Sequence, residues 1–513
     1  MKNVKKQLKK LNYFFKKHSY ILITLFSSMC IMIGIFILQD ISPFGNKSML
    51  TIDFYHQYGP MLGELYDRIR NGSNLLYSFN MGMGLPFFRN FFNYLSSPFN
   101  IIILLFKRSH LLTSYSIIIG FKAICSCVTM SILLKNKFNK EYKMFIPLSL
   151  LYGFCAYFIA YYWNIMWLDG IVLLPLIILG IEYIIDKEKP VLYIISLVTM
   201  LFANYFIAYM ICIFSVLYFL TYLFIKTNKF EFKKIGKKCL IFGLASLIAG
   251  GICAVFLIPM FKAMSGISAT GDVWPSSQYY DFTAIEFIFN HLSGVGSTVL
   301  KSGVTTAPNV SCGILSVMLL FAFYFNSDIK IKVKFAYTLL LLIIILSFVL
   351  APLDYIWHAF HVPNDLPYRY SFLYSFVLII IGAYSLYKIK GLKPIYGYIC
   401  YIITLIFISL VWFVPFKNIS RDMIYLNYGL STIFFLSYII YLHFNSYKRI
   451  IPYICIITVV LEACVSLNNN WDMTQTISDF YNDYNVMEKG INFIKENDSE
   501  MHRIERVNLQ TFN

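Results

Sequence analysis

The chain has 513 residues, of which 58% are apolar, 18% aromatic and only 13% charged, with a mean hydropathy of +0.65. Soluble domains carry roughly 25% charged residues, so a soluble enzyme is excluded. The formal charge of +17 does not indicate nucleic-acid binding, because the lysines stand in short clusters between apolar runs, where they act as orientation signals.

The chain opens with a basic stretch, residues 1–19, followed by the apolar run Ile21–Leu38. That run is longer than a signal-peptide core and lacks a small-residue cleavage site, so it reads as an uncleaved first span. Further apolar runs, each able to cross roughly 30 Å at about 1.5 Å per residue, predict spans near 111–134, 144–162, 168–185, 190–203, 208–225, 238–258, 311–325, 334–352, 371–387, 394–415, 423–443 and 450–467. The fold class is therefore all-α: a polytopic helical membrane protein of about 13 transmembrane helices. The stretch 190–225 exceeds one helix and divides at the polar pair Asn204-Tyr205, with one tilted helix and a flanking piece as the alternative. Nearly all of the 11 cysteines lie inside apolar runs, without metal-binding spacing, and read as small core residues.

Charge sets the orientation. With the N-terminus inside, the alternate short loops 1–17, 135–143, 186–189, 226–238, 328–334, 388–393 and 443–449 hold 27 of the 43 Lys and Arg, the pattern expected of cytoplasmic loops. An odd span count then puts the C-terminus outside. The outer side carries the mass, in segments 39–110 and 259–310 and in a tail from 468, with a shorter aromatic loop at 353–370; segments of this length carry function rather than connection. In the first of them, Met61–Asn71 has helical spacing, and SSPFNIIILLF at 96–106 is too short to span and reads as interfacial or re-entrant.

Just past the first span, MLTIDFYHQYGP groups Asp53, His56, Gln57 and Tyr58. A carboxylate where an outer loop meets the bilayer can deprotonate an incoming hydroxyl beside a lipid-borne leaving group, which makes Asp53 the leading catalytic candidate. The competing reading is a helix N-cap or a solvated loop residue.

DFYHQYGP, GMGLPFF…NYLSSPFNIIILLF, WNIMWLDGIVLLPLIILGIEYII, NYFIAYMICIFSVLYFL and NDLPYRYSFLYSF together resemble the bacterial YfhO family, in order and over almost the whole membrane part. The resemblance implies a GT-C-type glycosyltransferase that takes a sugar from an undecaprenyl-phosphate carrier and places it on an extracytoplasmic polymer such as teichoic acid. It implies that the catalytic acid lies in the first outer loop, where Asp53 occupies the matching place. Family members usually continue into a sizeable extracytoplasmic C-terminal domain; here residues 468–513 read as the opening of such a domain, cut short.

Arg369, in LPYRYSF, offers a planar fork of donors suited to the carrier phosphate, or else anchors the chain at the interface together with Tyr368 and Tyr370. Asp169, in NIMWLDG, is placed to steady an acceptor hydroxyl, and Trp163 and Trp167 to stack on a sugar ring; an N-cap with two belt tryptophans is the alternative. His56, Gln57 and Tyr58 complete the expected substrate contacts. His358 and His361, near Asp354 and Asp365, have one-turn spacing that suits a divalent ion, but no third ligand is fixed, so no cofactor is expected. Lys122 lies mid-span and requires a partner, for which Glu462 is a candidate. The loop 266–282 reads either as a closing flap over a saccharide or as an ordinary surface loop. The expected partners are the lipid-linked sugar, the polymer acceptor, membrane lipid, and proteins that make and flip the donor. A flippase for lipid-linked saccharides and a silent envelope scaffold are the rival functions.

Overall fold

The computed structural model describes residues 2–81, 84–228, 231–264, 274–275, 282–298, 307–363, 366–414 and 418–498. Among them the architecture is all-α, with no β-strand and only isolated bridges. Nine of the described helices are long and apolar enough to cross a membrane, as composition demands. The other expected spans are shorter apolar helices within Phe145–Tyr161, Val191–Ala203, Ile314–Phe325 and Ser371–Tyr387.

The centre is the helix Leu168–Lys187, whose apolar window is 89% buried. Pro394–Trp412 and Phe232–Ala263 are each only 28% buried over theirs, and turn broad apolar faces outward, as lipid-facing helices do. The central helix packs on Leu111–Lys137, Val191–Ala203 and Tyr205–Lys226. Small residues let backbones meet within a membrane: a Cβ at Gly180 would stand 2.5 Å from the Tyr193 nitrogen, and one at Gly170 would stand 2.6 Å from Ile207 Cγ2.

Two buried ion pairs join the central helix to Leu111–Lys137. Lys122 Nζ lies 2.8 Å from Asp169 Oδ2 with both side chains fully buried, and Lys137 Nζ lies 2.5 Å from Glu182 Oε1. Because the lower-numbered lysine meets the lower-numbered acid, the two helices run in the same direction. Lys122 thus pairs with Asp169 and not with Glu462; the latter accepts from Ser293 Oγ and Ile314 N instead.

The break expected at Asn204 is present. Asn204 is extended, at φ −161 and ψ 105, and its side chain accepts from Ile207 N at 2.8 Å, capping Tyr205–Lys226 as an N-cap asparagine should. The span expected over 144–162 is not continuous. It divides into Phe145–Gly153 and Ala156–Tyr161, because Ala156 N donates to Ser311 O at 2.7 Å instead of to its own helix. The 96–106 segment is a 3₁₀ helix, Pro98–Leu105, which buries Asn100 and Ile103 and exposes Ile101 and Leu105. Most of the loop 266–282 lies outside the described residues. In the tail, the helix Ile477–Asn497 lies against the first long segment: Ile477 N donates to Asn46 O, and Asn46 Nδ2 bonds Ser478 Oγ at 2.6 Å.

Candidate active site

The chain leaves the first helix, Lys2–Leu38, and reaches Ile52 in the left-handed region at φ 49. A β-branched residue pays heavily for that conformation. Asp53 follows, half-buried, as the residue preceding the π-helical turn Phe54–Tyr58. Gly59–Asn71 continues from this turn and stops at Gly72, whose φ of 66 closes the helix through an N–H to Arg68 O.

Tyr58 is the hub. Its hydroxyl donates to Asn164 Oδ1 at 3.1 Å. Burial raises its pKa well above the ordinary phenol value; the Asp53 carboxylate beside it adds to the rise, and the Arg369 guanidinium opposes it. Asp53 and Arg369, far apart in the chain, thus both lie within electrostatic reach of one phenol. Tyr94 stacks obliquely on Tyr58 with ring centroids 5.3 Å apart. Burial raises the Tyr94 pKa as well, against the pull of Gln57, Arg369 and Arg89.

Arg369 follows two left-handed residues, Leu366 at φ 59 and Tyr368 at φ 66. Its Nε donates to Leu366 O at 3.1 Å, and its guanidinium sits over the rings of Trp167, at 5.1 Å, and Phe206, at 5.4 Å. Burial lowers its pKa, opposed by Tyr161, Tyr58 and Asp354; a guanidinium stays charged through such a shift. Strained backbone therefore flanks both Asp53 and Arg369, as it does at sites where geometry is held against local preference.

Beside these groups opens a cleft of ≈ 260 Å³. Gln57, Arg89, Asn90, Asn93, Tyr94 and Tyr205 supply its polar lining, with Met61 and Leu85 between them. The wall Phe91–Leu95 is π-helical. It turns Asn93 and Tyr94 to the cleft and Phe92 to the outer helices, where Phe92 stacks on Phe256 at 4.6 Å and meets Phe202 edge-on at 5.7 Å. A polar cleft and an aromatic cluster with the outer helices thus share one turn of chain.

Of the residues expected at the site, Asp53, Tyr58 and Arg369 converge, and Gln57 lines the cleft. His56 is exposed against the edge of Tyr55. Asp169 does not reach this surface: it is fully buried, and Lys122 Nζ and Ser97 Oγ bind its oxygens at 2.8 and 2.9 Å. An acid so desolvated and paired serves packing rather than an acceptor hydroxyl. Trp167 is 5% exposed and lies under Arg369, and Trp163 is 3% exposed with Nε1 donating to Ala160 O; both pack inside the bundle instead of forming a belt. His358 is buried, with Nδ1 2.8 Å from Asp354 O and 3.3 Å from Asp354 Oδ2, and Asp365 lies outside the described residues. Among the described residues no group of three or more His, Cys, Asp or Glu is placed to hold a metal. Neither Arg89 nor Asn93 is singled out by the sequence, and Tyr205 enters there only as part of the polar break at 204–205. The one signal for the first two is their spacing of four in RNFFN, within a segment that carries the family resemblance.

The fold and the cleft define a multi-pass, all-helical membrane protein with a carboxylate, guanidinium groups and phenols gathered at one end of the bundle. Residues 24–513 match the family described as bacterial membrane protein YfhO, and the chain belongs to that family. No curated protein and no solved structure shows significant similarity to it.

Proposed function

We propose that the chain is a GT-C-type glycosyltransferase that moves one sugar from a polyprenyl-phosphate donor to a hydroxyl of an extracytoplasmic polymer of the teichoic acid kind. The single observation that supports this reading best is that Asp53 and Arg369 both bear on Tyr58, whose ring packs on Tyr94 in the wall of a polar cleft.

In the reaction, Asp53 takes the proton of the acceptor hydroxyl as its oxygen bonds the anomeric carbon. The bond from that carbon to the phosphate oxygen breaks, and the electron pair leaves with the phosphate. Arg369 receives the developing charge through its paired N–H donors. One displacement inverts the anomeric centre. Tyr58, kept protonated, steers Asp53 and donates within the site. Trp167 holds the guanidinium by its ring face, an arrangement that favours arginine over lysine.

The test uses purified full-length protein in detergent, a labelled polyprenyl-phosphate hexose and a polymer acceptor. Asp53→Asn is expected to lower transfer by at least 10²-fold, the scale of general-base catalysis, with the fold intact. Arg369→Lys is expected to raise the donor concentration needed and to slow turnover. Full transfer by Asp53→Asn ends the assignment. A protein that moves lipid-linked sugar only across sealed vesicles is a flippase.

A further inference from the structure

A second cavity, of ≈ 30 Å³, lies away from these residues, where irregular backbone from several parts of the chain meets. The helix break at Phe154, the loop 293–297 and the extended stretch 309–313 converge on the helix Ile451–Asn470. Glu462 projects from that helix and is 2% exposed. Its Oε1 accepts from Ser293 Oγ and, at 3.0 Å, from Ile314 N. Its Oε2 is buried and has no hydrogen-bond partner among the described residues. Gly313, at φ 83, passes directly over the carboxylate, and a Cβ there would stand 2.9 Å from Oε1.

A carboxylate at membrane depth requires a compensating charge or a proton, and among the described residues neither a basic nor a second acidic side chain lines the cavity. Among the described residues no sulfur and no imidazole lines it either; its polar groups are the carboxylate, hydroxyls, amides and backbone, set among apolar side chains such as Leu151, Phe154 and Ile159. Oxygen donors select hard cations, and one negative charge balances one positive charge. A water-sized sphere occupies about 10–15 Å³ on this scale, so the space suits a small ion, bare or with one water, and excludes organic ligands. Interrupted helices that free carbonyl oxygens are a recurring setting for sodium within membranes.

We propose that Glu462, with the surrounding hydroxyl and carbonyl oxygens, binds one sodium-sized monovalent cation. The ion neutralises the carboxylate and ties Ile451–Asn470 to the broken Phe145–Tyr161 segment.

The experiment follows thermal melting of the full chain in detergent as sodium chloride replaces choline chloride at fixed ionic strength, with lithium and potassium in parallel. A saturable rise of about 2 °C or more with sodium is expected, with potassium weaker. Glu462→Gln should melt at one temperature across the series. An unchanged melting temperature of the natural chain in sodium and lithium overturns the proposal, whether or not the variant folds. So does a sodium response that persists in Glu462→Gln. Melting that follows pH and ignores sodium assigns a protonated carboxyl and overturns it as well.

Discussion

Asp53 and Asp169 are both acidic residues beside apolar runs, yet they stand in opposite surroundings. Asp53 is half-buried at a strained turn beside the Tyr58 phenol; Asp169 is sealed against Lys122 and Ser97. Breaking a buried pair by removing one partner strands the other charge, at about 3–5 kcal/mol. Lys122→Met is therefore expected to destabilise the protein by that amount in detergent melting, and adding Asp169→Leu should restore most of the loss. Strict additivity of the two changes would show that the pair is not coupled. The same principle explains why a partner for Lys122 was foreseeable from sequence while its identity was not. The need for a counter-charge is local, but Asp169 and Glu462 both satisfy it on paper, and only the packing of the central helix on Leu111–Lys137 decides between them.

At the scale of elements, the membrane helices were legible because each is an apolar run bounded by lysine, proline or asparagine, and Asn204 announces its own cap. The division at Phe154–Cys155 was not, since its cause is a carbonyl more than a hundred residues away, at Ser311. The cleft falls between these cases. Asp53 and Arg369 stood out as charges at span ends, whereas Arg89 and Tyr205 become neighbours only once Phe91–Leu95 folds against the outer helices. Helix contact itself is testable. Gly180→Ala forces a methyl group into the Tyr193 backbone and should cost about 1–3 kcal/mol. Gly429→Ala, with nothing within 4 Å, should be neutral or stabilising by about 0.5–1 kcal/mol. Equal melting temperatures for the two variants would refute the close approach.

For the whole molecule, the proposed orientation puts the cleft outside and the lysine-rich loops inside. With the exposed native thiols at Cys30 and Cys239 replaced, a cysteine introduced at the exposed His56 should react with a membrane-impermeant maleimide in intact cells. One at the exposed Lys140 should react only after permeabilisation. The reverse pattern would move the cleft to the cytosol and remove a polymer acceptor from reach.

The paired lysines at 122 and 137 grip the central helix at two separate heights. A rod clamped twice can neither tilt nor slide against its neighbour, so these two helices behave as the molecule's stator. Phe256, which leans on the cleft wall, belongs to the loosely held Phe232–Met264. One side of the cleft thus rests on one of the two spans least enclosed by protein.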